Sequence, residues 1–160
     1  MRNIHGTFRY IFIMKKAVNL QWGDFAGRTA LQKQLTRARV QAWVSHALWL
    51  PGEITVRIVS EAEGLAMNVQ FRGKNYATNV LTFDYMQTPV VSADLVLCAP
   101  VVEREASAQK KDLIAHYAHL IVHGTLHAQG YDHETNERDA FEMEALEILL
   151  LGALDFANPY

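Results

Sequence analysis

Cysteine occurs once in this chain, at Cys98. A single thiol excludes an intramolecular disulfide framework and a metal site built from several cysteines. It fits a reducing compartment such as the cytosol. Charge of one sign is also missing: 15 basic and 17 acidic side chains leave a formal net charge of −2. Bulk charge therefore gives no reason to expect nucleic-acid binding, and any RNA contact must rest on a local basic patch. No run is long and apolar enough to cross a membrane. The segment from Phe8 to Met14 has a faint signal-peptide look. Arg9 interrupts it, it is too short, and no small-residue cleavage site follows. Met14-Lys15-Lys16 reads as a second translation start, so the first thirteen residues are expected to be a disordered or dispensable extension. Residues 14–160 then form one domain, with no repeat, low-complexity tract or linker inside them.

What is present is ordinary for a soluble domain. Half of the 160 residues are apolar and a fifth are charged, enough for one real core. Val18, Leu20 and Trp22 alternate with polar residues, as do Ile54, Val56 and Ile58, so both segments predict half-buried strands. Val80 to Phe83 and Asp94 to Cys98 predict two further short strands. A helix is predicted from about Arg28 to Ala47, with Leu31, Leu35, Ala38 and Ala42 on one face, and Pro51-Gly52 marks its break. Ser60 with Glu63 is a capping-box signature. Further helices are predicted over Val101 to Ser107, about Asp112 to Gln129, and about Asn136 to Leu151. The last buries Ala140, Met143, Leu146 and Leu150. About four strands with about five helices predict an α+β (mixed α/β) layered domain.

The chemistry concentrates in His123-Gly124-Thr125-Leu126-His127-Ala128-Gln129-Gly130-Tyr131-Asp132-His133. Residues i and i+4 share one helical face, so His123 and His127 can point at one ion. Gly130 can take the left-handed conformation that ends a helix, which lets His133 return as a third ligand. Three imidazoles around zinc leave a fourth position for water or substrate, the catalytic arrangement rather than the structural one. The spacing also matches the protease pattern H-E-x-x-H-x-x-G-x-x-H, except that Gly124 stands where the glutamate base belongs.

Other residues carry two readings each. His116 and His119 extend the histidine stripe. They either support the ligands or meet substrate phosphates, or they are partly buried rings bonded to backbone or water. Asp132 either fixes a ligand tautomer or caps the turn. Arg72 and Lys74, flanking Gly73 in a predicted loop, either suit a phosphate or are merely solvated. Glu103 with Glu105, and Glu142, Glu144 and Glu147, read as solvated faces. Cys98 reads as packed rather than reactive.

The segment His123 to His133 closely resembles the YbeY family signature H-G-x-L-H-x-x-G-Y-D-H. Arg72-Gly73-Lys74 followed by Thr78-Asn79-Val80-Leu81-Thr82-Phe83 resembles that family's R-G-K-x-x-x-T-N-V-L-S-F, Asp94 to Cys98 its G-D-I-x-I-C, and Glu142-Met143-Glu144 its E-M-E. The resemblance spans roughly Ile54 to Leu151. Asn75, Tyr76 and Ala77 depart from the usual D-K-P, Thr82 from serine, Ala93 from glycine and Asp84 from proline. No departure touches a proposed ligand. The resemblance implies a cytoplasmic, zinc-dependent, single-strand-specific endoribonuclease acting in 3′-end maturation of small-subunit (16S) ribosomal RNA and in ribosome quality control. It implies pre-16S RNA, the small ribosomal subunit and its assembly factors as partners. By that resemblance His123, His127 and His133 become the zinc ligands and Arg72 a catalytic arginine in the cleft. Lys74, from its place beside Arg72, and His119, from the histidine stripe, are expected to face substrate. A metalloprotease-like hydrolase and a non-catalytic, zinc-stabilised ribosome-assembly factor are the alternatives. The attacking group is either water or the substrate's own 2′-hydroxyl.

Overall fold

The computed structural model describes residues 15–160, so the expectations for residues 1–13 and for Met14 as a start fall outside it. In chain order the elements are β1 (Lys16–Trp22), α1 (Arg28–Gln34), α2 (Arg37–Ala47), β2 (Gly52–Val59), α3 (Glu61–Arg72), β3 (Val80–Met86), β4 (Val91–Cys98), α4 (Ala99–Ala108), α5 (Leu113–Ala128) and α6 (Glu137–Ala153). The class is α+β, with four strands and six helices among the described residues.

One sequence expectation is corrected. The segment from Arg28 to Ala47 is two helices, not one. Thr36 is extended, with φ −77° and ψ 155°, and its hydroxyl accepts the Arg39 amide at 3.3 Å. A hydroxyl that bonds the backbone locally competes with helix continuation and starts a new helix instead. The break resets the buried face. Leu31 and Leu35 are buried from the first segment, and Val40, Trp43, Val44 and Ala47 from the second, whereas Ala38 and Ala42 are exposed. At Ser60 the cap forms as expected, the hydroxyl accepting the Glu63 amide at 3.1 Å. The Glu63 carboxylate turns instead to Arg57, at 2.7 Å.

The strands form one sheet in the order β1-β2-β4-β3. β1, β2 and β4 run parallel, and β3 is antiparallel to β4 at the edge. Alternation sorts the side chains by face. Val18, Ile54, Val56, Ala93, Leu95 and Leu97 point into the main core, against Val44 of α2 and Tyr117 and Ile121 of α5. Val59, Leu81, Val96 and Cys98 form a smaller cluster on the other face, with Met67 of α3 and Val101 of α4. Each fully buried Leu, Ile or Val contributes about 1.5–3 kcal/mol by leaving water. The two central strands are covered on both faces, so the second half of β4 reads as a continuous apolar run, as buried parallel strands do.

Helix α5 packs against β3 and β4. A Cβ on Gly124 would lie 3.0 Å from Leu95 Cδ2 and 3.4 Å from Thr82 Oγ1. The absence of a side chain there lets the helix approach the sheet closely, beside edge strand β3.

Candidate metal centre and cleft

Helix α5 starts at Asp112, whose carboxylate accepts the Ala115 amide at 3.0 Å. Its end is built for a sharp turn. Gly130 adopts φ 97°. Its amide bonds the His127 carbonyl at 3.0 Å, and the Tyr131 amide bonds the Leu126 carbonyl at 3.2 Å. This pair of bonds is a Schellman closure, which needs a left-handed residue at Gly130. Asp132 then ties the next turn, accepting the Glu134 amide and the Thr135 hydroxyl, each at 2.9 Å. Of the two roles weighed for Asp132, the turn is the one its contacts serve. The backbone bond from Glu134, then the Thr135 hydroxyl, lowers its pKa.

The result brings His123, His127 and His133 together. Ring centroids are 4.7 Å apart for His123 and His127, and 5.0 Å for each of them with His133. One candidate donor atom from each lies within 4.8 Å of the others. His127 Nε2 and His133 Nδ1 face each other at 3.0 Å. Burial first, then repulsion from His123 and His133, pushes the His127 pKa down to about 4. A neutral imidazole is the form that binds a cation.

Glu147 supplies what the sequence reading missed. Expected on a solvated face, it is completely buried. The His123 Nδ1–H donates to its Oε1 at 2.5 Å, and the Tyr160 hydroxyl donates to its Oε2. Burial alone would raise the Glu147 pKa. The imidazoles of His119 and His123 and the Tyr160 phenol outweigh it and hold the carboxyl at about 2. An ionised acceptor on Nδ1 fixes the His123 tautomer and leaves Nε2 as a lone pair for an ion. The donor set therefore suits a metal ion: three imidazoles, one of them oriented by a buried carboxylate. A signal for Glu147 existed, since it lies four residues after Met143 and three before Leu150, on the buried stripe of α6. Nothing local pointed to Tyr160.

The other histidines divide. His116 is buried, and its Nε2 pairs with Glu105 Oε2 at 2.9 Å. Glu105 is thus not a plain solvated residue. It also takes the Asn79 amide at 3.1 Å. His119 lies beside the centre, its Nε2 3.5 Å from Glu147 Oε1 and without hydrogen-bond alignment. Arg72 is the last residue of α3 rather than a loop residue, and Gly73 caps that helix at φ 65°. Its guanidinium makes only a long 3.5 Å contact with the Thr82 carbonyl. Arg72, Lys74, His119 and the three converging histidines line one cleft of about 830 Å³. Cys98 is buried, and burial pushes its thiol pKa up, as suits a packed residue.

Known proteins resemble this chain over most of its length. The family model described as Endoribonuclease YbeY matches residues 19–155. A relative of that name from Polaromonas sp. strain JS666 is 68% identical over 143 residues, covering 89% of this chain and 93% of the relative. Another, from Paracidovorax citrulli, is 60% identical over 144 residues, covering 90% and 95%. The solution structure of TM1509 from Thermotoga maritima superposes with a TM-score of 0.56 at 25% identity, covering 86% of this chain and 91% of that one. The chain belongs to the YbeY endoribonuclease family, and RNA is its substrate class.

Proposed function

We propose that this chain is a zinc-dependent, single-strand-specific endoribonuclease of the cytoplasm. Its proposed task is 3′-end maturation of 16S ribosomal RNA and ribosome quality control, on pre-ribosomal RNA and with the small subunit and its assembly factors. The observation that carries the catalytic reading is the convergence of three imidazoles in a cleft that also holds Arg72 and Lys74. No helix among the described residues is long and apolar enough to cross a membrane.

His123, His127 and His133 would hold the ion, which would supply Lewis acidity toward water and a phosphate oxygen. The rest of the chemistry falls to side chains. Glu147 holds the His123 ring in one tautomer. Arg72 presents a planar fork of donors to the non-bridging phosphate oxygens, where charge builds in the transition state. Its exposure and single long contact leave that fork free for substrate. Lys74 adds a second cation for the backbone phosphates.

A protease reading needs a glutamate at position 124 as general base. Leu95 and Thr82 leave no room there even for a methyl group without displacement. The test is cleavage of a defined single-stranded RNA, with unfolded protein offered in parallel, with and without chelator. Chelator and His127→Ala should each abolish RNA cutting while the circular dichroism of the variant stays native. Arg72→Glu should cut at least about a hundred-fold more slowly, the loss typical of removing one preorganised donor. Cutting that survives metal removal and His127→Ala would overturn the proposal. Loss of the fold in His127→Ala would favour a zinc-stabilised assembly factor instead.

A further inference from the structure

We infer that Tyr76 is a base-stacking residue: its ring forms a platform at the cleft for one unpaired base of the RNA, next to the cations that take the phosphates. The inference rests on the endoribonuclease reading and names how that site selects single strands.

A lone exposed aromatic residue means little. What distinguishes Tyr76 is how it is held. The residue is 57% exposed and is among those that line the same cleft as Arg72, Lys74 and the converging histidines. Among the described residues its hydroxyl has no hydrogen-bond partner, and its ring has no aromatic neighbour. Its backbone, however, is clamped. Asn68, 1% exposed on α3, donates its side-chain amide to the Tyr76 carbonyl at 2.6 Å. The Asn68 backbone carbonyl accepts the Lys74 amide at 3.2 Å. One buried residue therefore pins both Lys74 and Tyr76. A cation and an aromatic ring, two residues apart, are presented to the cleft on a fixed support.

Single-stranded nucleic acid is bound by this combination: cations track the phosphates while aromatic faces stack on bases. Every base has such a face, so stacking tolerates sequence. A base paired in a duplex cannot offer its face to a side chain without unstacking. Clamping matters because a platform ordered before binding loses less freedom when the RNA arrives. Tyr76 also falls in the short stretch where the chain departs from the D-K-P pattern of the family it resembles. A ring stands there where that pattern has a cation. Phe71 serves as a control. It is equally exposed at 57%, adjacent in sequence to Arg72, and paired edge-on with Phe83 at 5.3 Å, yet it does not line the cleft.

The test measures kcat and KM on a defined single-stranded RNA, and on a set of RNAs carrying one abasic nucleotide at successive positions. Tyr76→Ala should raise KM about ten-fold, the loss of one stacked base. Tyr76→Phe and Phe71→Ala should match the parent chain. One abasic position should raise the parent's KM by the same factor and leave Tyr76→Ala unchanged. An unaltered KM in Tyr76→Ala, or abasic losses that add in full to that variant at every position, overturns the inference and leaves the endoribonuclease reading standing. Failure of the parent chain to cut RNA at all overturns both.

Discussion

Removing the Glu147 carboxylate should weaken the proposed metal centre without removing any of the three imidazoles proposed to hold the ion. The side chain is buried, with Oε1 on the His123 Nδ1–H and Oε2 on the Tyr160 hydroxyl. In Glu147→Ala both donors lose their acceptor. Tyr160 is 60% exposed as a residue, but its hydroxyl is turned inward onto the buried carboxylate, and burial is the first cause of its raised pKa. The His123 side chain is only 18% exposed, so its N–H and the Tyr160 hydroxyl both carry part of the penalty. An orphaned buried donor costs about 1–3 kcal/mol, which sets the expected loss in stability of the metal-free chain. Loss of the carboxylate that orients a ligand imidazole costs about ten- to a hundred-fold in metal affinity, or roughly 1.4–2.7 kcal/mol. Glu147→Gln keeps one carbonyl oxygen for His123 and can donate its amide to the Tyr160 oxygen. It should lose mainly the charge, and fall between the parent and the alanine variant. Competition against a chelating dye gives zinc affinity, and urea unfolding of metal-free protein gives stability. Zinc binding and a urea midpoint unchanged in Glu147→Ala would refute the role assigned to this carboxylate.

Two further outcomes follow from the packing. Gly124→Glu should destabilise the domain by more than about 3 kcal/mol, because overpacking and an unpaired charge are forced together against Leu95. A variant with native urea stability and protease activity would show that α5 does not lie as close to the sheet as described. His116 titrates below the ordinary histidine value, because burial outweighs its bond to Glu105. The unfolded chain then takes up a proton first on acidification. This contribution to stability is complete above about pH 6.5 and is lost as pH falls toward the folded value. The urea midpoint of the parent chain should therefore drop more between pH 7.5 and 5.5 than that of His116→Gln, and equal drops would refute the assignment.

Much of the site could be read in order along the chain, because it is local. Two histidines four apart share a face, and a glycine three later permits the left-handed turn. These depend on backbone geometry within eleven residues, and the folded chain draws the three rings together as that geometry requires. The alternating strands and the Ser60 cap are legible for the same reason. The break at Thr36 was harder, because a threonine inside an apolar-periodic stretch can either continue a helix or cap one.

Long-range pairing governed the remainder. Whether Glu147 sits in water or against His123 depends on how α6 packs on α5, and no property of a glutamate in a helix states that. Tyr160 meets Glu147 only because the chain after α6 returns to the cleft, and Asn68 clamps Lys74 and Tyr76 only once α3 has set the loop across its end. Sheet order likewise left β3 at the edge among the described strands, with the cleft beside it. Local sequence therefore determined which imidazoles could converge and how the backbone would turn to bring them there. Tertiary packing decided which carboxylate orients His123 and which loop faces the cleft, because burial and hydrogen-bond partners belong to pairs of elements rather than to any one of them.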